Sequence, residues 1–220
     1  MPPRPLSRLV LLLALLVVPP LAAAPENWAK EIDALTAADR TSPPPAGGVV
    51  FVGSSSIRLW KTLAEDFPGI ATVNRGFGGS ELADCVHYID RIVLPYRPRL
   101  VVLFAGTNDL WNGKSPEAVA ADFRAFRTKL HAALPETRLI FLSINLAPSR
   151  VRIHDLMAEA NALIEADCAT DPRCTFVDIV TPMLDASGGT RPELFVEDQL
   201  HLNRAGYAIW TRVLAPYLKP

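Results

Sequence analysis

Short apolar runs rich in Val, Ile, Leu and Phe recur along the chain between longer segments in which apolar side chains return every three or four positions. The runs at 49–52, 71–74, 100–104, 139–143 and 175–177 read as strands. Near-continuous apolarity over so few residues predicts strands buried on both faces, as in parallel sheets. Between them Val119, Phe123, Phe126 and Leu130 draw an apolar stripe at helical spacing, with Ser115 placed to cap the helix and Pro116 at its first position. Ile153, Met157, Ala160 and Ile164 draw a second stripe, and another helical stretch starts at Arg204. Strands alternating with amphipathic helices predict an α/β fold, a three-layer α/β/α sandwich of flavodoxin-like character around a five-stranded parallel sheet. Loops leaving the C-terminal ends of such strands hold the ligand site. Trp60 and Trp210, at helical spacing from other apolar groups, are expected in the core.

The pattern is different at the start. Arg4 and Arg8 precede an unbroken apolar run over 9–18, then Pro19, Pro20 and the small residues Ala22, Ala23 and Ala24. This predicts a secretory signal peptide over 1–24, cleaved after Ala24, and an exported protein, periplasmic or secreted. The run is short for a permanent membrane anchor, so no stable anchor is expected after cleavage; an uncleaved anchor is the alternative reading. Residues 25–48 then give a helix, with Trp28, Ile32 and Leu35 in register, and a linker through Pro43, Pro44, Pro45, Gly47 and Gly48. Residues 49–220 are left for one domain, which a chain of 220 residues, half of them apolar, can fill with a sizeable core.

Composition mostly removes options. Cleavage takes away two arginines and no acid, so the formal charge moves from −1 to about −3. Basic residues are scattered, which argues against nucleic acid and against a polybasic membrane patch as partners. His87, His131, His154 and His201 are dispersed without ligand spacing, so neither a metal nor another cofactor is implied. Export permits a disulfide, and Cys168 and Cys174 stand close enough to close a small loop that leaves Cys85 unpaired; three buried thiols are the other reading.

Candidate chemistry gathers at the predicted strand ends. The first strand runs into Gly53-Ser54-Ser55-Ser56-Ile57, a tight strand-to-helix turn that seats a serine beside free N–H groups. It is not the Gly-x-Ser-x-Gly elbow, because Ile57 stands at the second glycine's place. The second strand runs into Gly76-Phe77-Gly78-Gly79, where the backbone can approach a ligand and offer an N–H. The third ends in Gly106-Thr107-Asn108-Asp109, and the Asn108 amide can donate without carrying charge. Near the C-terminus Asp198 precedes His201 by three residues, so the acid can hold one ring nitrogen while the other accepts a serine proton. Taken singly, these are a helix cap, a βα turn, an Asx turn and a structural histidine. Arriving in order at successive strand ends, they supply every part of acyl-transfer chemistry.

Gly53-Ser54-Ser55, Gly79, Gly106-Thr107-Asn108-Asp109 and Asp198-x-x-His201 resemble the four sequence blocks of the SGNH (GDSL-like) hydrolase superfamily, across essentially the whole domain. The first block usually reads Gly-Asp-Ser; here Ser54 replaces the aspartate, and the nucleophile's place falls on Ser55. The resemblance implies a flavodoxin-like fold in which Ser55 attacks, His201 is its base and Asp198 orients the base. It also implies an oxyanion hole of the Ser55 N–H, the Gly79 N–H and the Asn108 side chain. The chain looks most like small bacterial members similar to platelet-activating-factor acetylhydrolase subunits.

The expected activity is that of a serine hydrolase acting on esters of a carbohydrate or lipid, with short acyl groups favoured because loop lengths leave no room for a lid. Trp111, beyond Asn108, and Asn145, after the fourth strand, are candidates to line the substrate pocket. An O-acyltransferase working through the same serine is the rival within the superfamily, and a catalytically silent binding domain the rival outside it.

Overall fold

The computed structural model describes residues 25–219, so the predicted signal peptide at 1–24 lies outside the described residues. All five strands are parallel: β1 (Val49–Gly53), β2 (Thr72–Gly76), β3 (Leu100–Phe104), β4 (Arg138–Leu142) and β5 (Cys174–Val177), in the order β2-β1-β3-β4-β5. Each matches a predicted run to within two residues at either end. The helices are α1 (Ala29–Ala37), α2 (Ser55–Arg58), α3 (Leu63–Asp66), α4 (Leu82–Ile92), α5 (Thr107–Trp111), α6 (Pro116–Ala133), α7 (His154–Cys168) and α8 (Arg204–Leu218). Among the described residues no helix is long and apolar enough to cross a membrane.

The sheet divides its side chains by the two-residue period of a strand. Val50, Val52, Val101, Leu103, Leu139 and Phe141 face one way, into a core built with α1, α4, α6 and α7. Val49, Phe51, Leu100, Val102, Ile140 and Leu142 face the other way, into a core closed by α2, α3 and α8. Both faces are therefore covered, which is why the strands read as unbroken apolar runs. The predicted stripe of α6 is fully buried, and Ser115 Oγ accepts from the Ala118 N–H at 3.3 Å as its cap. The stripe of α7 is buried at Met157, Ala160 and Ile164, with Ile153 packed at its edge.

Trp60 and Trp210 are core residues, 1% and 0% exposed. Trp60 stacks on Tyr207 at 5.1 Å between ring centroids and meets Trp210 edge-on at 5.8 Å. Full burial of such rings contributes roughly 1.5–3 kcal/mol each and locks α8 over the β1 end of the sheet. The Tyr207 hydroxyl also donates to Ser56 O at 2.8 Å, so α8 holds the turn that leaves β1 directly. All three cysteines are buried, and Cys168 Sγ and Cys174 Sγ lie 2.8 Å apart, so the pair singled out in the sequence are neighbours in space.

Candidate active site

The turn after β1 has one backbone solution. Gly53 takes a φ of 140°, and a Cβ there would stand 1.9 Å from Phe104 O, so only glycine passes β1 this close to β3. Ser54 then sits in extended conformation and α2 starts at Ser55, whose N–H is the first of the helix and has no acceptor. Ser55 is half-buried, with its hydroxyl directed at the loop before α8.

That loop closes on itself. Val196 N–H donates to His201 O at 2.8 Å, and Phe195 bridges Leu202 antiparallel. Asn203 caps α8 and reaches back to Glu193 O and Phe195 O with its amide. Inside this frame Asp198 Oδ1 accepts from the N–H groups of Leu200 and His201, both at 2.9 Å, and Asp198 Oδ2 lies 2.6 Å from His201 Nδ1. Burial pulls the Asp198 carboxyl upward, but the His201 N–H, the imidazole and the Leu200 N–H outweigh it and hold the group below the usual carboxylate range. An ionised Asp198 only accepts, so the proton belongs on Nδ1 and the lone pair of Nε2 faces outward. Ser55 Oγ is 2.8 Å from that Nε2.

Two donors, the Ser55 N–H and the Asn108 amide, border the same space, and Gly79 lies in the adjoining turn. The Asn108 amide gives one hydrogen to Ser80 O at 3.0 Å, which pins the turn after β2 against α5 and leaves its second hydrogen unused. Gly79, at φ 73°, presents an N–H that, like that of Ser55, has no acceptor among the described residues. A small pocket opens beside Ser55 and Asn108, lined by Ser54, Ser55, Ser56, Phe104, Thr107, Asn108, Asn145 and Leu200. Asn145 is 3% exposed and its Nδ2 is buried without a partner, as is Thr107 Oγ1. Asn161 of α7 fixes this wall by bonding both the N–H and the carbonyl of Ile144, at 2.7 and 3.0 Å. Of the residues singled out in the sequence, Ser55, Asp198 and His201 are joined by hydrogen bonds and Ser55, Asn108 and Asn145 line one pocket, while Gly79 lies in the turn that Asn108 pins through Ser80 O. Trp111 does not line this cavity; it ends α5, one turn beyond Asn108.

Behind the site lies a charge network with no local signal in the sequence. Asp109, fully buried, accepts from the Leu82 N–H and pairs with Lys114 Nζ at 3.1 Å. The same ammonium meets Glu81 at 3.0 Å and Asp122 at 2.8 Å, and Glu81 Oε1 accepts from Asn112 Nδ2. Burial pushes the Asp109 carboxyl up to about 6 against the pull of Lys114. For Lys114, burial acts downward, but Asp109, then Asp122 and Glu81, raise its pKa above the ordinary lysine value. The network joins the turn after β2 to α5 and so fixes Gly79 relative to Asn108. Asp109 belongs to a block already singled out, but Glu81, Lys114 and Asp122 each read alone as solvated surface groups, and only the fold brings them together.

Residues 45–209 match the GDSL-like Lipase/Acylhydrolase family, and the chain belongs to that family. It is thereby a serine hydrolase acting on esters. Its fold is similar to that of a platelet activating factor protein from Streptococcus pneumonia, with TM-score 0.77 at 20% identity over 88% of this chain and 96% of that one. It is also similar to a GDSL-like lipase from Bacteroides thetaiotaomicron, with TM-score 0.69 at 23% identity over 88% and 96% of the two chains. An acetylxylan esterase from Geobacillus stearothermophilus is a third likeness, with TM-score 0.63 at 14% identity over 79% and 95%. Among curated proteins none matches the chain.

Proposed function

We propose that the protein is an exported esterase that removes short acyl groups from a carbohydrate or lipid, with Ser55 as nucleophile, His201 as base and Asp198 as its orienting partner. The observation that carries this reading is the unbroken line from Asp198 Oδ2 through His201, 2.6 Å to Nδ1, and on from Nε2 to Ser55 Oγ, 2.8 Å. Ser55 Oγ attacks the ester carbonyl while Nε2 takes its proton, and the carbonyl oxygen gains its negative charge against the N–H groups of Ser55 and Gly79 and the free Asn108 hydrogen. The C–O bond to the alcohol breaks as His201 returns the proton to the leaving oxygen, giving an acyl-Ser55. Water, deprotonated by the same imidazole, then releases the carboxylic acid and frees the serine. The small pocket beside Ser55 and Asn108 favours a short acyl chain, and the likeness to an acetylxylan esterase points to the same size class. The leader-like residues 1–24 support export.

A fluorophosphonate exchanges its fluoride for an activated serine oxygen, and mass spectrometry of the peptides is expected to place the adduct on Ser55. An adduct on Ser54 or Ser56, or none at all, would overturn the assignment. Asn108→Ala is expected to lower kcat for p-nitrophenyl acetate by about 10²- to 10³-fold with little change in KM, since its spare hydrogen meets charge only in the transition state. Near-normal kcat in that variant would remove Asn108 from the oxyanion hole.

A further inference from the structure

Trp111 is 37% exposed, one of the few large apolar side chains left open to solvent, and it carries two cations. The Arg150 guanidinium lies 4.0 Å from its ring centroid and that of Arg152 lies 5.0 Å away. Among the described residues neither guanidinium has an ion-pair partner, and Arg150 Nε is buried without an acceptor. Stacking on the indole therefore fixes these arginines, and their terminal N–H groups keep their hydrogen-bonding capacity.

The position of this cluster gives it a use. Trp111 lies three residues beyond Asn108, on the same face of α5 and about 4.5 Å further along its axis. Arg150 and Arg152 belong to the 3-10 segment Pro148–Ile153, which follows the pocket residue Asn145. The segment is tied to the catalytic loop, because Ser149 N–H donates to Gln199 O at 3.0 Å, between Asp198 and His201. Two positive charges without an ion-pair partner among the described residues thus stand on the segment that joins the pocket residue Asn145 to the loop of Asp198 and His201, beside the α5 helix that carries Asn108. Guanidinium forks match the paired oxygens of a carboxylate or phosphate, and an anion there offsets the repulsion between the two arginines.

We infer that Trp111, Arg150 and Arg152 form a leaving-group subsite that selects esters whose alcohol carries an anionic group, a carboxylate or a phosphate. The inference rests on the esterase reading above and adds the chemistry of the alcohol. It also distinguishes this site from one that takes a neutral sugar by stacking alone, since here the aromatic face is held under two cations.

The test compares matched substrates: an acetylated methyl glucuronoside against the acetylated methyl glucoside, and acetylglycerol phosphate against monoacetylglycerol. Wild-type kcat/KM is expected to favour the anionic member of at least one pair by about tenfold or more, the favoured pair telling carboxylate from phosphate. In Arg150→Gln/Arg152→Gln that ratio is expected to fall towards one, mainly through KM. The double lysine variant, which keeps charge and loses the fork, is expected to fall between. Added salt should shrink the wild-type preference. Equal rates within both pairs in the wild type, or a preference that survives the double glutamine substitution, would overturn the subsite and leave the esterase reading standing. If neither these esters nor p-nitrophenyl acetate is cleaved, the esterase reading fails first and the subsite with it.

Discussion

Replacing Ser55 with alanine is expected to lower kcat for p-nitrophenyl acetate by about 10⁵- to 10⁶-fold, because the acyl-enzyme route closes when its oxygen is gone. The oxyanion donors survive the change, so a residual rate of about 10³- to 10⁴-fold over water is expected to persist. Combining Ser55→Ala with His201→Ala should cost little more than either alone, since a base without a nucleophile has nothing to activate. Ser54→Ala and Ser56→Ala are expected to lose far less, because neither hydroxyl reaches the imidazole that stands 2.8 Å from Ser55 Oγ. Steady-state rates of the five variants decide the matter: a Ser55→Ala protein that keeps most of its turnover would end the assignment.

The second large effect is on stability and originates in Lys114. Its ammonium is the only cation paired, among the described residues, with Asp109 and Glu81, and it pairs with Asp122 as well. Lys114→Met removes that charge and leaves buried carboxylates facing one another, a loss of about 3–5 kcal/mol for a broken buried pair. At about 2–4 °C per kcal/mol for a domain of this size, Tm is expected to drop by about 6–20 °C. The pH dependence has a definite sign. Asp109 is raised from an ordinary 3.8 to about 6, so its contribution to stability is fully present below about pH 4 and is lost as pH rises through about 6. Protonated Asp109 no longer needs a cation. The Tm deficit of Lys114→Met is therefore expected to be full at about pH 8 and to shrink towards about pH 5. Thermal melting at both values checks this, and equal deficits would show that charge compensation is not what Lys114 supplies.

Much of the fold was legible because burial on both faces leaves a plain mark on a strand. Phe51 and Val52 point into different cores, yet both had to be apolar, so the run at 49–52 stood out while its division between faces did not. The long helices α6 and α7 showed their stripes over several turns. Helices α2, α3 and α5, four or five residues each, are too short for a period to appear. Helix α4 is capped by Glu81 and Asp84 rather than by serine or threonine, so its start carries no familiar sign.

The candidate site was legible to the extent that residue type alone carries chemistry. A serine, an asparagine and an Asp/His pair at strand ends announce themselves, and the structure brings them within hydrogen-bonding range or onto one cavity. Trp111 was singled out for its proximity to Asn108 in sequence; at the end of α5 its indole lies against Arg150 and Arg152 and does not line the pocket beside Ser55. Glu81, Lys114 and Asp122 gave no sign at all, because their meaning depends on which segments meet, and spacing along the chain does not encode that.

Ser55 follows the first strand and His201 precedes the last helix, so the bond between them spans 146 positions in sequence. A contact of such range costs closure entropy that the packing of the sheet and of α8 must offset. Without that contact the serine is an ordinary alcohol, with no imidazole beside it and no completed ring of donors. On the proposed assignment, catalytic competence is consequently a property of the finished molecule alone: a half-opened chain is expected not to cleave esters, and the first turnover would report that the two ends of the domain have met.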